Sequence, residues 1–503
     1  MRLRSALLAG APLVAALGLI SPAQAASPVW NHPVKMEKLP YSGGVLMARG
    51  IRNGTIRLPA ANARHGAATI FPSLSCTPAP CALPNVQGSP GNTQPVDETP
   101  IAVNPLNGKE LITGGNDYNC GSSLRGFWTS SNGGKKWTGG CGVDLNGSGG
   151  DGDPVVGYDL NGNVFQGGIE TTNGSEVGIA SSSDNGAHWN PMVAASHVSG
   201  DFADKPWLQI DVGANSPNKN DLYVSNTMFA TGSNTTIYVS HSTNAGATWT
   251  LVAASPQAVY PNINQFSDLG IGSDGTVYLT YMNCTANGPT GDCGGTTAKM
   301  YFQKSTDGGN TWSKQVNIGN VALAPDSCGA FYGCLPKTSE RVSDIPAIGV
   351  DNSGGTRNGQ LYVVEYNWTG AFMQVEVASS TDGGTTWGAP VDVAPSSDTH
   401  DQFFPWLNVD AKGDVGVTWL DRRDDPNNVN YEAFATWSAN GGGSFKPNVL
   451  IASTPSNPFN DGFGSGFMGD YSGNAWFGKR LFASWTDTRN GSYSQDEIGG
   501  LKR

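Results

Sequence analysis

Charge is scarce in this chain. Only 14% of its 503 residues are Asp, Glu, Lys or Arg, and the positive share is the smaller, 29 Lys and Arg against 41 Asp and Glu. The formal net charge is -12 and no basic run occurs, which argues against a nucleic-acid partner. Beyond the N-terminus no apolar stretch is long enough for a membrane span. No CxxC pair is present, so the tight thiolate spacing of a zinc site is missing. An EF-hand loop is missing too. No metal or other cofactor is expected, although a structural calcium beside acidic loops is compatible with the composition.

Glycine, by contrast, is abundant at 68 residues, with 31 proline. Each weakens a helix interior, and the glycines do not fall at every third position, so helical and collagen-like chains are both excluded. Hydrophobic residues make up 38% of the chain, with 14 Trp, 15 Tyr and 18 Phe, enough for a large core and too many for a disordered chain. The composition is that of a large, turn-rich, all-β protein.

Residues 1–25 read as a signal peptide: Arg2 and Arg4, the apolar stretch Ala6 to Ile20, then Ala23-Gln24-Ala25 as a cleavage site. A secreted, extracellular location follows, and it explains an even set of eight cysteines. These fall as sequence neighbours, and the simplest pairing is Cys76/Cys81, Cys120/Cys141, Cys284/Cys293 and Cys328/Cys334.

One octapeptide recurs. It reads Ser305-Thr306-Asp307-Gly308-Gly309-Asn310-Thr311-Trp312 and again Ser380-Thr381-Asp382-Gly383-Gly384-Thr385-Thr386-Trp387. Looser copies run from Ser130 to Trp137, Ser182 to Trp189, Ser242 to Trp249 and Ser438 to Phe445. An Asp or Asn side chain can bond amides of its own turn, the glycines permit positive φ, and the terminal aromatic packs inward. These turns resemble the Asp-box (BNR repeat) of the sialidase superfamily, and the resemblance covers about residues 98–503. It implies a β-propeller of four-stranded antiparallel blades. A second repeat, usually an acidic residue before a short apolar strand, occurs at Glu98, Asp153, Asp204, Asp268, Asp344, Gln402 (in Gln402-Phe403-Phe404-Pro405) and Asp470 and counts seven blades; six, the number in sialidases, is the alternative. The expected division is a signal peptide (1–25), an N-terminal extension and connector (26–96) and the propeller (97–503). The seventh repeat ends without room for its outer strand, so an N-terminal strand at Ala67 to Phe71 is expected to complete it.

In such a ring the Asp-box turns lie on one face. The inner-strand starts and the loops between second and third strands lie on the other, where chemistry is expected. The resemblance implies an exo-sialidase-like glycoside hydrolase. Arg341, Arg423 and Arg489 would clamp a substrate carboxylate, Tyr366 would attack with Glu365 as base, and Asp153 or Asp344 would protonate the leaving oxygen. Ile56-Arg57-Leu58-Pro59 is similar to the sialidase arginine motif, but no Asp follows it until Asp97. Two other functions fit the same face: a polysaccharide lyase with His400 or His197 as base on a uronate, and a non-catalytic propeller that binds glycan or protein. In each the partner is a glycan, a glycoconjugate or a protein. The recurrence of the aspartates also fits a purely structural role at each blade.

Overall fold

The computed structural model describes residues 37–58, 79–172, 175–288 and 290–503. Seven antiparallel sheets follow one another along the chain and close into a ring, a seven-bladed β-propeller. The third blade shows the pattern: Phe202–Ile210 innermost, then Leu222–Phe229, Thr235–Ser242 and Thr250–Ala253 outermost. Strands such as Leu222–Phe229 are buried on both faces, as expected where blade packs on blade, and they read as continuous apolar or small-residue runs.

The seventh blade consists of Gly473–Phe477, Arg480–Asp487 and Gln495–Lys502, and its outer position is filled from the other end of the chain. Cys81–Ala82 and Val86–Gln87 pair antiparallel with Gln495–Lys502, Cys81 opposite Lys502 and Val86 opposite Ile498. The ring is therefore closed by residues 81–87; Ala67 to Phe71 lie outside the described residues, as do the signal peptide and Cys76. Cys81 is disulfide-bonded. Cys120–Cys141, Cys284–Cys293 and Cys328–Cys334 are paired as their spacing suggested.

All six octapeptides form one turn, each between the third and fourth strands of its blade. In each the serine Oγ accepts the amide four residues on, as from Gly309 to Ser305 (2.9 Å) and from Gly384 to Ser380 (2.9 Å). The Asp or Asn then accepts the amide four residues beyond itself, as from Thr311 to Asp307 (2.9 Å). The glycine caught by the serine is at positive φ, which explains why glycine stands there (φ +87° at Gly309, +83° at Gly384).

On the opposite face lies one α-helix, α1 (Gly43–Arg52). Ser42 caps it by accepting the Val45 amide, and Leu46, Met47 and Ala48 are good helix formers. Almost all of α1 is buried; Met47 and Ala48 pack with Ile56, Tyr118, Leu124, Phe463 and Phe467. Burying Val45, Leu46 and Met47 contributes roughly 1.5–3 kcal/mol apiece.

Candidate active site

The innermost strands do not run straight into the mouth of the ring. A β-bulge breaks the pairing at Gly152/Val155, Asp204/Trp207, Gln265/Asp268 and Phe403/Trp406. At each, and at Glu98 in the first blade, one residue takes a left-handed conformation: Glu98 (φ +55°), Asp153 (+54°), Lys205 (+46°), Phe266 (+61°) and Phe404 (+47°). Bulges re-aim side chains, and non-glycine residues held at positive φ cluster at functional sites. Here three of them, Glu98, Asp153 and Lys205, come from three successive blades and lie within electrostatic range of one another.

Aromatic rings close the tunnel below them. Trp207 lies 4.3 Å from Trp406 and 5.7 Å from Tyr471, centroid to centroid. Lys205 sits on this floor, its Nζ 4.1 Å from the Tyr471 centroid and 4.8 Å from that of Trp207. Burial lowers its pKa, while Asp153, Glu98, Asp268 and Asp470 oppose that shift. Glu98 and Asp153 are both wholly buried and lie side by side, since a Cβ on Gly44 would press on both carboxyl groups. Two buried carboxyl groups so placed do not both ionise readily. Burial, with Asp470 and Asp97 as further negative neighbours, pushes Glu98 up to about 8. Burial raises Asp153 well above its usual value too, Glu98 adding to the effect.

Above the pair lies the chain's own N-terminal segment. Asp204 accepts the Ser42 amide (2.8 Å) and Asp470 the Gly43 amide (2.7 Å), two carboxylates at the positive end of α1. Arg341 donates to the Tyr41 carbonyl (2.9 Å), and Tyr332 (2.7 Å) and Gln265 (3.2 Å) donate to that of Pro40. Gly44 rests on this pair: a Cβ there would collide with Asp153 and lie 3.1 Å from Glu98 Oε2. Ion pairs of Lys38 with Asp292 and of Arg52 with Asp151 pin the two ends.

The structure distributes the remaining expected residues as follows. Arg341 is buried beside Asp470 near the axis. Arg423 pairs with Asp421 and Asp398 and lies over Phe434; Arg489 pairs with Asp487 and Glu497. No two of these arginines share a hydrogen-bond or ion-pair partner, and the last two occupy equivalent places in successive blades. Arg57 is exposed just after α1 and belongs to no inner strand. Glu365 and Tyr366 lie within the strand Leu361–Trp368 rather than in a loop, so they point to opposite faces. Glu365 stands opposite Glu376, and burial pushes it up to about 8. Tyr366 is buried with its hydroxyl within electrostatic range of Asp344, Asp470 and Arg341, and burial raises its pKa well above the usual value. Asp344 accepts the Tyr366 amide (3.3 Å). Asp268 and Asp401 receive amides of the fifth blade, from Ile348 (2.7 Å) and Met373 (3.0 Å), the structural use that recurrence allowed. His400 pairs with Asp398 (3.2 Å), and His197 is half-buried. Among the described residues one cluster has metal-like spacing, Asp117 with Cys120 and Cys141, but its sulfurs form a disulfide and are not thiolate ligands.

Sequence reasoning placed Glu98, Asp204 and Asp470 at the mouth without giving them roles, and it missed Lys205, Gln265, Tyr332 and α1. A signal for the bulges was present. Proline follows the left-handed residue in Asp153-Pro154, Lys205-Pro206 and Phe404-Pro405.

No protein-family model matches this chain, and no curated protein is a significant match. Solved structures do resemble it. An ulvan lyase, a polysaccharide lyase, aligns over 80% of this chain and 93% of its own at 12% identity, with a TM-score of 0.50. A Dyadobacter fermentans protein of unknown function aligns over 84% and 99% at 13% identity (TM-score 0.45). An intramolecular trans-sialidase from Ruminococcus gnavus aligns over 66% and 91% at 12% identity (TM-score 0.42). At such identities the likeness is one of fold.

Proposed function

We propose that the protein is a secreted glycan-active enzyme, a glycoside hydrolase whose reacting groups are Glu98 and Asp153. The observation that carries this reading is that pair: two wholly buried carboxyl groups from neighbouring blades, both on residues at positive φ, side by side under Gly44 and each pushed up by burial. Glycoside hydrolysis needs one carboxylic acid that keeps its proton at neutral pH and a second carboxylate across the scissile bond from it, roughly 5 Å away or more, so the two must part as a glycan enters. Asp153, raised well above its usual value by burial and by Glu98, keeps the proton and protonates the leaving glycosidic oxygen. Glu98, as carboxylate, stabilises the positive charge that develops on the sugar ring or activates the attacking water. Lys205, held over Trp207 and Tyr471, offsets part of the negative charge when Glu98 ionises. The paired disulfides fit an oxidising, extracellular setting.

Charge favours a neutral glycan. Carboxyl groups outnumber cations at this mouth, and Arg341 is already engaged by Asp470, so an anionic sugar would be repelled. A sialidase-like variant rests on Tyr366, whose buried hydroxyl lies near Asp344 and Arg341. In that variant Tyr366 attacks, Asp344 protonates the leaving group, and Arg341 must exchange Asp470 for the substrate carboxylate.

The test is a panel of substrates given to the full-length secreted protein: neutral arabinans and xylans, a fluorogenic sialoside, and a uronate polymer. New reducing ends from a neutral glycan, lost in Glu98→Gln, support the first reading. Free sialic acid, lost in Tyr366→Phe, selects the second. Ultraviolet absorbance of an unsaturated uronate would overturn both in favour of a lyase. A chelator leaves the rate unchanged, since the proposed chemistry uses protein groups alone.

A further inference from the structure

We infer that residues 38–56 are a tethered ligand of the axial mouth, a plug that must withdraw before a glycan can reach Glu98 and Asp153. Its effect on turnover rests on the reading of that pair as the reaction centre. Its occupancy and release do not.

The ring does not depend on this segment for closure. The seventh blade is completed by residues 81–87 against Gln495–Lys502, so the segment can leave while every blade keeps its strands. Twenty-four residues separate Ile56 from Cys81, and an extended chain spans roughly 3.3 Å per residue. The contacts are those of a bound peptide. Carboxylates of two blades take the Ser42 and Gly43 amides, and side chains reaching in from the surrounding loops and strands give hydrogen bonds to the Pro40 and Tyr41 carbonyls. The mouth thus reads main-chain amides and carbonyls with groups that could equally accept from and donate to the hydroxyls of a sugar. Gly44 lies where the substrate would have to lie, and its lack of a side chain is what lets α1 settle onto Asp153. The ends are held differently from the middle. Lys38 and Arg52 are partly exposed and pair with Asp292 and Asp151, contacts that salt weakens, whereas the middle is apolar and buried.

The experiment compares three full-length proteins: wild type, Gly44→Leu, and the double variant Lys38→Ala with Arg52→Ala. Three quantities are read: carbodiimide-driven labelling of Glu98 and Asp153 by mass spectrometry, hydrogen exchange along Ser42–Arg52, and glycan turnover. Wild type should resist labelling. Gly44→Leu should label at both carboxyl groups and lose exchange protection over α1 alone, and the double variant should do so in part. A peptide of residues 37–58 added to Gly44→Leu should restore protection. Turnover should rise at least about tenfold, because apparent affinity scales with the fraction of open mouths. Equal labelling in all three proteins overturns the plug, as does protection lost throughout the blades in both variants, which would make α1 part of the fold. If labelling opens while no protein turns over any glycan, the plug stands and the reaction centre falls.

Discussion

Arg341 grips Asp470 with two arms of its guanidinium, Nε to Oδ1 at 2.9 Å and Nη2 to Oδ2 at 3.0 Å, and both side chains are buried. Asp470 also takes the amide of Gly43 and the hydroxyl of Ser343, so one carboxylate joins the fifth blade, the seventh and the N-terminal segment. Removing Arg341 would leave that carboxylate buried without its counter-charge. Arg341→Leu should therefore lower unfolding free energy by about 3–5 kcal/mol in a urea titration. Arg341→Leu combined with Asp470→Leu should recover much of that loss. A fully additive double variant would show that the pair carries no such coupling.

Stability should fall as pH rises from about 4.5 to about 8. Burial raises Glu340, Glu365 and Glu497 to about 8 from ordinary values of 4.5, and Asp268 and Asp461 to about 7 from 3.8. A folded-state pKa above the unfolded one means the native protein binds the proton more tightly. The stabilisation is full below the unfolded value and is lost as pH passes through the folded one. Melting temperature should accordingly drop between pH 5 and pH 8, and Glu365→Gln, which carries no ionisable group, should flatten part of that drop. A melting temperature that climbs over this range would contradict the burial of these groups.

The octapeptide turns should matter for stability and not for chemistry. Ser305→Ala deletes the acceptor of the Gly309 amide and a bond to Asp307, at a cost of about 1 kcal/mol. The turn lies on the face of the ring opposite the mouth, so carboxyl labelling and turnover should stay at wild-type levels. Calorimetry and a rate assay on one preparation separate the two effects.

The fold was legible because its signals are local. Ser305 and Asp307 close their own turn within four residues, and six repetitions of that pattern announce six blades. The acidic starts of the inner strands supplied the seventh. The site was legible only in outline, since its geometry depends on bulges and on contacts between distant residues. Asp153 was picked as an acid, but its neighbour Glu98 lies on another blade, and nothing local announces that the two meet under Gly44. Glu365 and Tyr366 look like a catalytic couple because they are adjacent in sequence; adjacency on a strand is what separates them. Arg423 and Arg489 drew attention as candidate clamps, yet each is held by an Asp two residues before it. Segment 38–56 was unplaceable because its partners, from Glu98 to Asp470, span most of the chain.

The central claim is that Glu98 and Asp153 act together as the reacting carboxyl groups. It is tested most directly by initial rates of glycan hydrolysis for Glu98→Gln, Asp153→Asn and the double variant, each built on Gly44→Leu so that the mouth is open. The account predicts that each single substitution lowers the rate by about 10²- to 10⁴-fold and that the double variant is little worse than either, as for groups acting as one unit. In the parent the rate should decline at alkaline pH, where Asp153 gives up its proton, and Asp153→Asn should lack that decline. A single variant that hydrolyses glycan at the parent rate would contradict it.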